Sequence, residues 1–284
     1  MPAQIISGKE VAERIRQELA PRVEKLKEKG VVPGLAAILV GEDPAAQSYL
    51  RGIAKGCEKV GIFTETISLP QDATQEKVEA KIEELNKDAK FHGIIVQRPL
   101  PQQINESAVL KLLAIEKDVD CLNPMSMAKL VIREPGGFAP CTPSAVIELL
   151  DRYNIEIDGK RAVVIGGAGK QGRTIGIMLL NRWATVYLCD YKTVNPVEEY
   201  RRAEILVSAV GRAKMIKKDM VSPGMVVIDV GVSEDETGKL SGDMDFDEVS
   251  EVVGMITPVP GGVGAVTTTI LLAHTVEAAE RLSK

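Results

Sequence analysis

Apolar residues recur at helical spacing near the start of the chain: over 9–29, Val11, Ile15, Leu19, Val23 and Leu26 share one face and charges occupy the other. The run Leu35-Ala-Ala-Ile-Leu-Val40 is apolar throughout, which predicts a buried strand broken by Gly41-Glu-Asp-Pro44. A helix over about 45–60, a short strand over 63–69 and an amphipathic helix over 73–88 follow. Gly93-Ile-Ile-Val96 predicts another strand, stopped by Gln97-Arg-Pro-Leu-Pro101. Strands are predicted again at 162–165, 185–189, 205–210 and 226–230, and a closing helix over 267–282. Continuously apolar strands alternating with helices mean a parallel sheet covered on both faces. The predicted fold is α/β in two lobes: a first lobe over 1–139, to which the closing helix over 267–284 returns, and a dinucleotide-binding lobe over 140–266. The turn-rich stretch around Gly136-Gly137 and Pro140-Cys-Thr-Pro143 marks the crossing between them. No internal repeat or low-complexity tract interrupts the pattern.

The second lobe carries the sharpest signal. The strand Ala162 to Ile165 feeds into Gly167-x-Gly169-x-x-Gly172, a helical pattern runs through Leu180, and a second strand ends at Asp190. That is the spacing of a dinucleotide-binding βαβ unit, with an acid about 20 residues beyond the glycines. The glycines let the backbone turn tightly and approach a pyrophosphate, whose charge meets the N–H groups at the helix start. A terminal Asp suits the 2′-hydroxyl of an adenosine ribose and repels a 2′-phosphate, so the bare fingerprint favours NAD over NADP.

Composition narrows the partners. With 284 residues and a formal net charge of −5, the chain has ample length for a core and no basic excess for nucleic acid or an anionic membrane surface. No apolar run is long enough to span a bilayer, and the Met1-Pro-Ala-Gln start lacks signal-peptide character, which predicts a cytoplasmic protein. Cys57, Cys121, Cys141 and Cys189 form no C-x-x-C pair and read as reduced thiols. The two histidines, His92 and His274, belong to no ligand-spaced cluster, so no metal site is expected.

Ligands of open parallel sheets bind beyond the carboxyl ends of strands. Gln97 follows one such end, Ser48 and Tyr49 lie past another, and Asp118 and Asp120 share the acidic turn Lys117-Asp-Val-Asp120. A carboxylate can take a guanidine-like edge through paired hydrogen bonds. The competing reading is structural: the two aspartates cap a turn, Tyr49 is a half-buried aromatic, and Gln97 caps strand-end backbone. Elsewhere, Asp229 reads as a structural cap, Asp243 and Asp245 as solvated turn acids, and His274 as a helix packing residue.

Along essentially its whole length the chain resembles the bacterial methylenetetrahydrofolate dehydrogenase/cyclohydrolase family. The resemblance is carried by Val40-Gly-Glu-Asp-Pro-Ala-Ala-Gln-Ser-Tyr49, Gly93-Ile-Ile-Val-Gln-Arg-Pro-Leu-Pro101, Lys117-Asp-Val-Asp120, Pro140-Cys-Thr-Pro143, Val226-Val-Ile-Asp-Val-Gly231 and Ile256-Thr-Pro-Val-Pro-Gly-Gly-Val-Gly264. It implies a reduced folate substrate, with Tyr49 against the folate and Gln97 and Asp120 in the pterin-side network. It also implies substrate contacts at Pro260, Gly261 and Gly262. For the cofactor it implies Gly166, Gly167, Ala168, Gly169, Lys170, Gln171, Gly172, Asp190, Tyr191, Ala209, Val210, Gly211, Gly231 and Thr267, and for assembly a homodimer joined through the nucleotide-binding lobes.

The departures from the family are as informative. Where the family has its cyclohydrolase lysine, four residues after Tyr49, this chain has Ile53; Lys55 matches a second, non-catalytic lysine and lies off the Tyr49 face of a helix. Arg98 stands for the usual Leu, Cys121 for Gly, and Ala265 for Pro. The family's Gly-Arg-Ser at 166–168 and His-Ser at 190–191 are Gly-Gly-Ala and Asp-Tyr here, which removes groups that favour a 2′-phosphate, although Lys170, Arg173 and Lys192 remain as cations. The expectation is an NAD-linked dehydrogenase that has lost cyclohydrolase activity and passes its product to a separate cyclohydrolase. The alternatives are a bifunctional NADP-dependent dehydrogenase/cyclohydrolase, an enzyme for another reduced pterin carrier, and a non-catalytic nucleotide-binding regulator.

Overall fold

The computed structural model describes residues 2–284. The chain divides into two compact units: one runs up to Glu13 and resumes over Thr142–Thr267, and the other comprises Arg14–Cys141 and Thr268–Lys284.

The unit built on Arg14–Cys141 has a three-stranded parallel sheet with Gly34–Val40 in the centre, flanked by Phe63–Leu69 and Gly93–Val96. All seven residues of the central strand are buried, as its unbroken apolar run requires. The edge strand Phe63–Leu69 is largely exposed. Val78, Ile82 and Leu85 of the helix Gln75–Lys87 pack with Ala36, Ile38, Ile94 and Val96 into one core. The helix Pro44–Val60 starts where Asp43 accepts a hydrogen bond from the Ala46 N–H at 2.7 Å and Pro44 presets φ, and it stops at Gly61 with φ 78°. Its buried positions, Ala46, Leu50, Ile53, Cys57 and Val60, follow one helical stripe. In the same unit Arg22 binds Glu280 through two hydrogen bonds of 2.9 and 2.7 Å.

The other unit has a six-stranded parallel sheet in the order Gln4–Ile5, Met255–Ile256, Val226–Asp229, Ile205–Ser208, Arg161–Ile165, Thr185–Cys189. Val163, Ile165, Leu206, Val227 and Ile256 form the centre of its core. The chain leaves Arg161–Ile165 toward Thr185–Cys189 on one side and returns to Ile205–Ser208 on the other. The order of strands therefore reverses beside Arg161–Ile165, and the strand ends there open onto a crevice.

Two boundaries differ from expectation. The first lobe was expected to begin at residue 1, but Gln4–Ile5 pairs with Met255–Ile256, so the segment up to Glu13 belongs to the dinucleotide-type unit. A two-residue strand is too short to show periodicity. The closing helix begins at Val263, four residues before the expected 267, because its first turn lies within the glycine-rich loop.

Candidate active site

The expected residues are divided unevenly between the two units: Tyr49, Gln97 and Asp120 lie in the three-stranded unit and the rest in the six-stranded one. In the six-stranded unit the glycine loop sits at the reversal point. Gly166 has φ 86°, and a Cβ on Gly172 would lie 2.3 Å from the Gly166 carbonyl oxygen, so both positions exclude larger residues. The N–H groups of Gly166 and Gly167 donate to the Cys189 carbonyl at 2.9 and 3.0 Å, which ties the loop to the end of the neighbouring strand. The helix Lys170–Asn181 has Gly169 as its N-cap with no side-chain cap bond, leaving first-turn N–H groups available to an anion. A cavity of about 350 Å³ adjoins this loop, lined among others by Gly166, Gly169, Asp190, Tyr191, Ala209 and Val210.

Asp190 accepts the Ala168 N–H through Oδ2 and the Tyr191 N–H through Oδ1, both at 2.8 Å. These backbone donors hold its carboxyl below the usual range, so it is ionised at neutral pH. Of the three cations that argued for a phosphate, Arg173 donates to the Ala168 carbonyl at 2.9 Å, while Lys170 and Lys192 are exposed. Gly211, with φ 72°, follows Val210. Gly231 lies against the Asp243 carboxylate, and Thr267 donates to the Val263 carbonyl of its own helix at 3.1 Å. Neither of those two lines the cavity. Pro260, Gly261 and Gly262 also belong to this unit. The Val259–Pro260 bond is cis, Gly261 has φ 109°, and its carbonyl accepts the Lys9 N–H at 3.2 Å.

In the three-stranded unit, Tyr49 stands on the helix Pro44–Val60 and is 44% exposed. Its hydroxyl is nevertheless pushed above the usual tyrosine range, first by burial and then by the charges of Asp120 and Cys141. Asp120 Oδ1 accepts the Cys141 N–H at 3.1 Å. Gln97 follows the end of Gly93–Val96, its backbone N–H donating to the Ile38 carbonyl of the neighbouring strand at 2.8 Å, and it lines a cavity of about 810 Å³ with Arg98, Leu100 and Gln71. Tyr49 and Asp120 do not line that cavity. Arg98 is turned to Glu106 at 3.3 Å.

The two acids of the Lys117–Asp120 turn separate by role. Asp118 is fully buried and accepts from Leu122 N, Asn123 N and Ser126 Oγ at 2.8, 2.9 and 2.6 Å, a structural cap. Cys121 adopts φ 54°, a left-handed conformation that a family glycine takes without cost. His274 Nδ1 lies 2.8 Å from the Val119 carbonyl, an arrangement in which the ring nitrogen donates, and burial holds its pKa below the usual value. Cys141, 3.9 Å from the same ring nitrogen, is a site neighbour that the sequence read as a reduced thiol in a family motif and assigned no place in the site. Its motif, Pro140-Cys-Thr-Pro143, was the available signal.

Ile53 is 1% exposed and Lys55 is exposed. Position 53 therefore presents a buried aliphatic side chain one helical turn from Tyr49, and Lys55 is on the solvent side. Asp243, expected to be solvated, is instead fully buried because the strand-end N–H groups of another segment require its oxygens. Among the described residues, no group of three or more His, Cys, Asp or Glu side chains is arranged to hold a metal ion, and no helix is long and apolar enough to cross a membrane.

Comparison with known proteins places these features. Residues 6–120 match the tetrahydrofolate dehydrogenase/cyclohydrolase catalytic domain, and residues 140–283 match the NAD(P)-binding domain of the same family. The Bifunctional protein FolD of Bacillus cereus is 51% identical over 281 residues, covering 99% of this chain and 98% of that one. The structure of the bifunctional methylenetetrahydrofolate dehydrogenase/cyclohydrolase FolD from Campylobacter jejuni superposes with a TM-score of 0.95 at 41% identity, covering 99% of both chains. The Trypanosoma brucei enzyme, solved with NADP and an inhibitor, gives a TM-score of 0.92 at 37% identity, covering 100% of this chain and 99% of that one. By both its domain matches and its full-length relatives, the chain belongs to the tetrahydrofolate dehydrogenase/cyclohydrolase family.

Proposed function

We propose that this protein oxidises 5,10-methylenetetrahydrofolate to methenyltetrahydrofolate with a nicotinamide dinucleotide. The observation that carries the reading is the pairing of a glycine cradle and uncapped helix start in one unit with Tyr49, Asp120 and Cys141 gathered in the other. When bound, the nicotinamide supplies the hydride acceptor. The Gly166–Gly172 loop would hold the pyrophosphate, and Asp190 the adenosine ribose. On the folate side, Tyr49 offers an exposed aromatic face for stacking, while Gln97 and Asp120 offer an amide and a carboxylate to the pterin edge. The methenyl product is a cation delocalised over two nitrogens. Its formation depends mainly on holding the reacting carbons close and aligned, and little on a strong acid or base.

The names of the relatives favour both steps, oxidation and hydrolysis, in one chain, and that bifunctional reading is the one the comparisons support. Position 53 speaks for a different outcome of the second step. Hydrolysis needs water placed and deprotonated and a nitrogen protonated, and a buried isoleucine does neither. We therefore infer a dehydrogenase with weak or absent cyclohydrolase activity that hands methenyltetrahydrofolate to a separate enzyme.

For the dinucleotide we infer a preference for NAD. An ionised Asp190 accepts from a 2′-hydroxyl and repels a 2′-phosphate. The Trypanosoma brucei relative was solved with NADP, which is the counterweight. The four cysteines are free and buried, which suits a reducing compartment such as the cytoplasm. The edge strand Thr185–Cys189 suits pairing with a second copy.

A rapid-scan absorbance assay with methylenetetrahydrofolate and saturating NAD, repeated with NADP, tests all three points. Reduced nicotinamide and a persistent methenyl band rising together, faster with NAD, is the expected result. Rapid decay of the methenyl band means hydrolysis survives without a lysine at position 53. Faster turnover with NADP overturns the role given to Asp190, and no turnover with either overturns the enzyme reading.

A further inference from the structure

The motif pair Asp229-Val-Gly231 and Gly242-Asp243 forms an interlocked brace at the strand ends of the six-stranded sheet. Asp229 Oδ1 accepts the Gly231 and Asp243 N–H groups, both at 3.0 Å, and its Oδ2 accepts the Met244 N–H at 2.8 Å. The two glycines make room for the opposite carboxylates. A Cβ on Gly231 would lie 2.0 Å from Asp243 Oδ1, and one on Gly242 would lie 2.1 Å from Asp229 Oδ2.

Asp243 carries the brace onward. Its side chain reaches back 31 to 35 residues, taking Ser208 Oγ and Val210 N on Oδ2 at 2.7 and 2.8 Å and Arg212 N on Oδ1 at 2.8 Å. Ala209, Val210 and Arg212 are themselves walls of the cavity beside the glycine loop. Gly211 between them has φ 72°, so the segment is a tight turn with alternate N–H groups directed at one buried carboxylate. A carboxyl group at 0% exposure needs hydrogen-bond partners for its oxygens, and here the donors belong to the cavity wall.

We propose that Asp243 is a positioning residue for dinucleotide binding, setting the wall Ala209–Arg212 without touching the ligand. The inference rests on the dinucleotide reading above and adds a residue to it. Asp229 serves one step further out, holding the backbone of Asp243 in place. An amide at position 243 keeps the shape but turns an NH₂ toward N–H donors, so it cannot hold both Val210 and Arg212.

The test is equilibrium titration of the full chain with NADH and NADPH, followed by fluorescence, together with steady-state kinetics. For Asp243→Asn the affinity for the preferred dinucleotide falls about ten-fold or more, the loss expected for a hydrogen bond to a charged group, while the KM for methylenetetrahydrofolate stays within about two-fold. Hydrogen exchange at the Val210 and Arg212 amides accelerates in the same variant. Because a buried charge is altered, Ser208→Ala is measured beside it. It removes one donor and leaves the carboxylate, and a loss of about two- to four-fold in dinucleotide affinity is expected. Unchanged dinucleotide affinity in both variants overturns the inference, as does an equal rise in both KM values. If the wild-type chain binds neither NADH nor NADPH, the functional reading fails and takes this inference with it.

Discussion

At the scale of single residues, position 53 decides most. An isoleucine there completes the buried stripe of the helix Pro44–Val60, and a lysine would have to bring its amine through the same packing toward Tyr49. Ile53→Lys is therefore expected to do two things at once. It should destabilise the fold by about 2–4 kcal/mol, since a cation replaces a fully packed side chain. It should also produce measurable decay of added methenyltetrahydrofolate above the spontaneous rate. Thermal unfolding and that decay assay check the two effects separately. A folded variant with no gain would show that the altered neighbours, Cys121 foremost, also block hydrolysis. Sequence reasoning singled out Ile53, Asp190 and Asp120 because each lies in an ordered motif of residue types, and it missed the Asp120–Cys141 bond. It did not reach the buried state of Asp243, because two acids in a Gly-Asp-x-Asp turn look solvated until the strand ends that surround them are assembled.

At the scale of elements, strands were the most legible part of the chain. Phe63–Leu69, Gly93–Val96 and Thr185–Cys189 have the limits expected from the sequence, the first from alternating apolar positions and the other two from apolar runs. The short helices Glu106–Lys111, Pro124–Ile132 and Pro196–Arg201 carry too few turns for periodicity to stand out, and the two-residue strands carry none. The turn after Val226–Asp229 adds a consequence for pH. Burial pushes the Asp229 carboxyl up to about 7, against about 3.9 in an unfolded chain. The folded protein then holds an extra proton between those values, so this group's contribution to stability is full below about pH 4 and is lost as pH rises through about 7. Asp229→Asn removes that dependence and costs about 1–3 kcal/mol from the misplaced amide. Unfolding midpoints of both proteins between pH 5 and 8 check it: the wild-type curve should fall more steeply with pH than the variant's.

At the scale of the molecule, the fold class and family follow from the order of motifs alone, whereas assembly does not. The outermost strand Thr185–Cys189 leaves one row of backbone groups unpaired in its sheet, and Leu188 on it and Leu180 on the preceding helix are exposed. Such an edge is a template for a second copy. Sedimentation at micromolar concentration is expected to give a dimer for the wild type and a shift toward monomer for Leu188→Lys, whose aliphatic stem can still cover Gly176. A monomeric wild type would remove the dimer from the proposal. The path of the chain carries a further consequence, for synthesis. Gln4–Ile5 is synthesised well before its partner Met255–Ile256. The opening strand must therefore wait, unpaired, while the whole of Arg14–Cys141 is translated, so one unit can begin folding on the nascent chain long before the other's sheet can close.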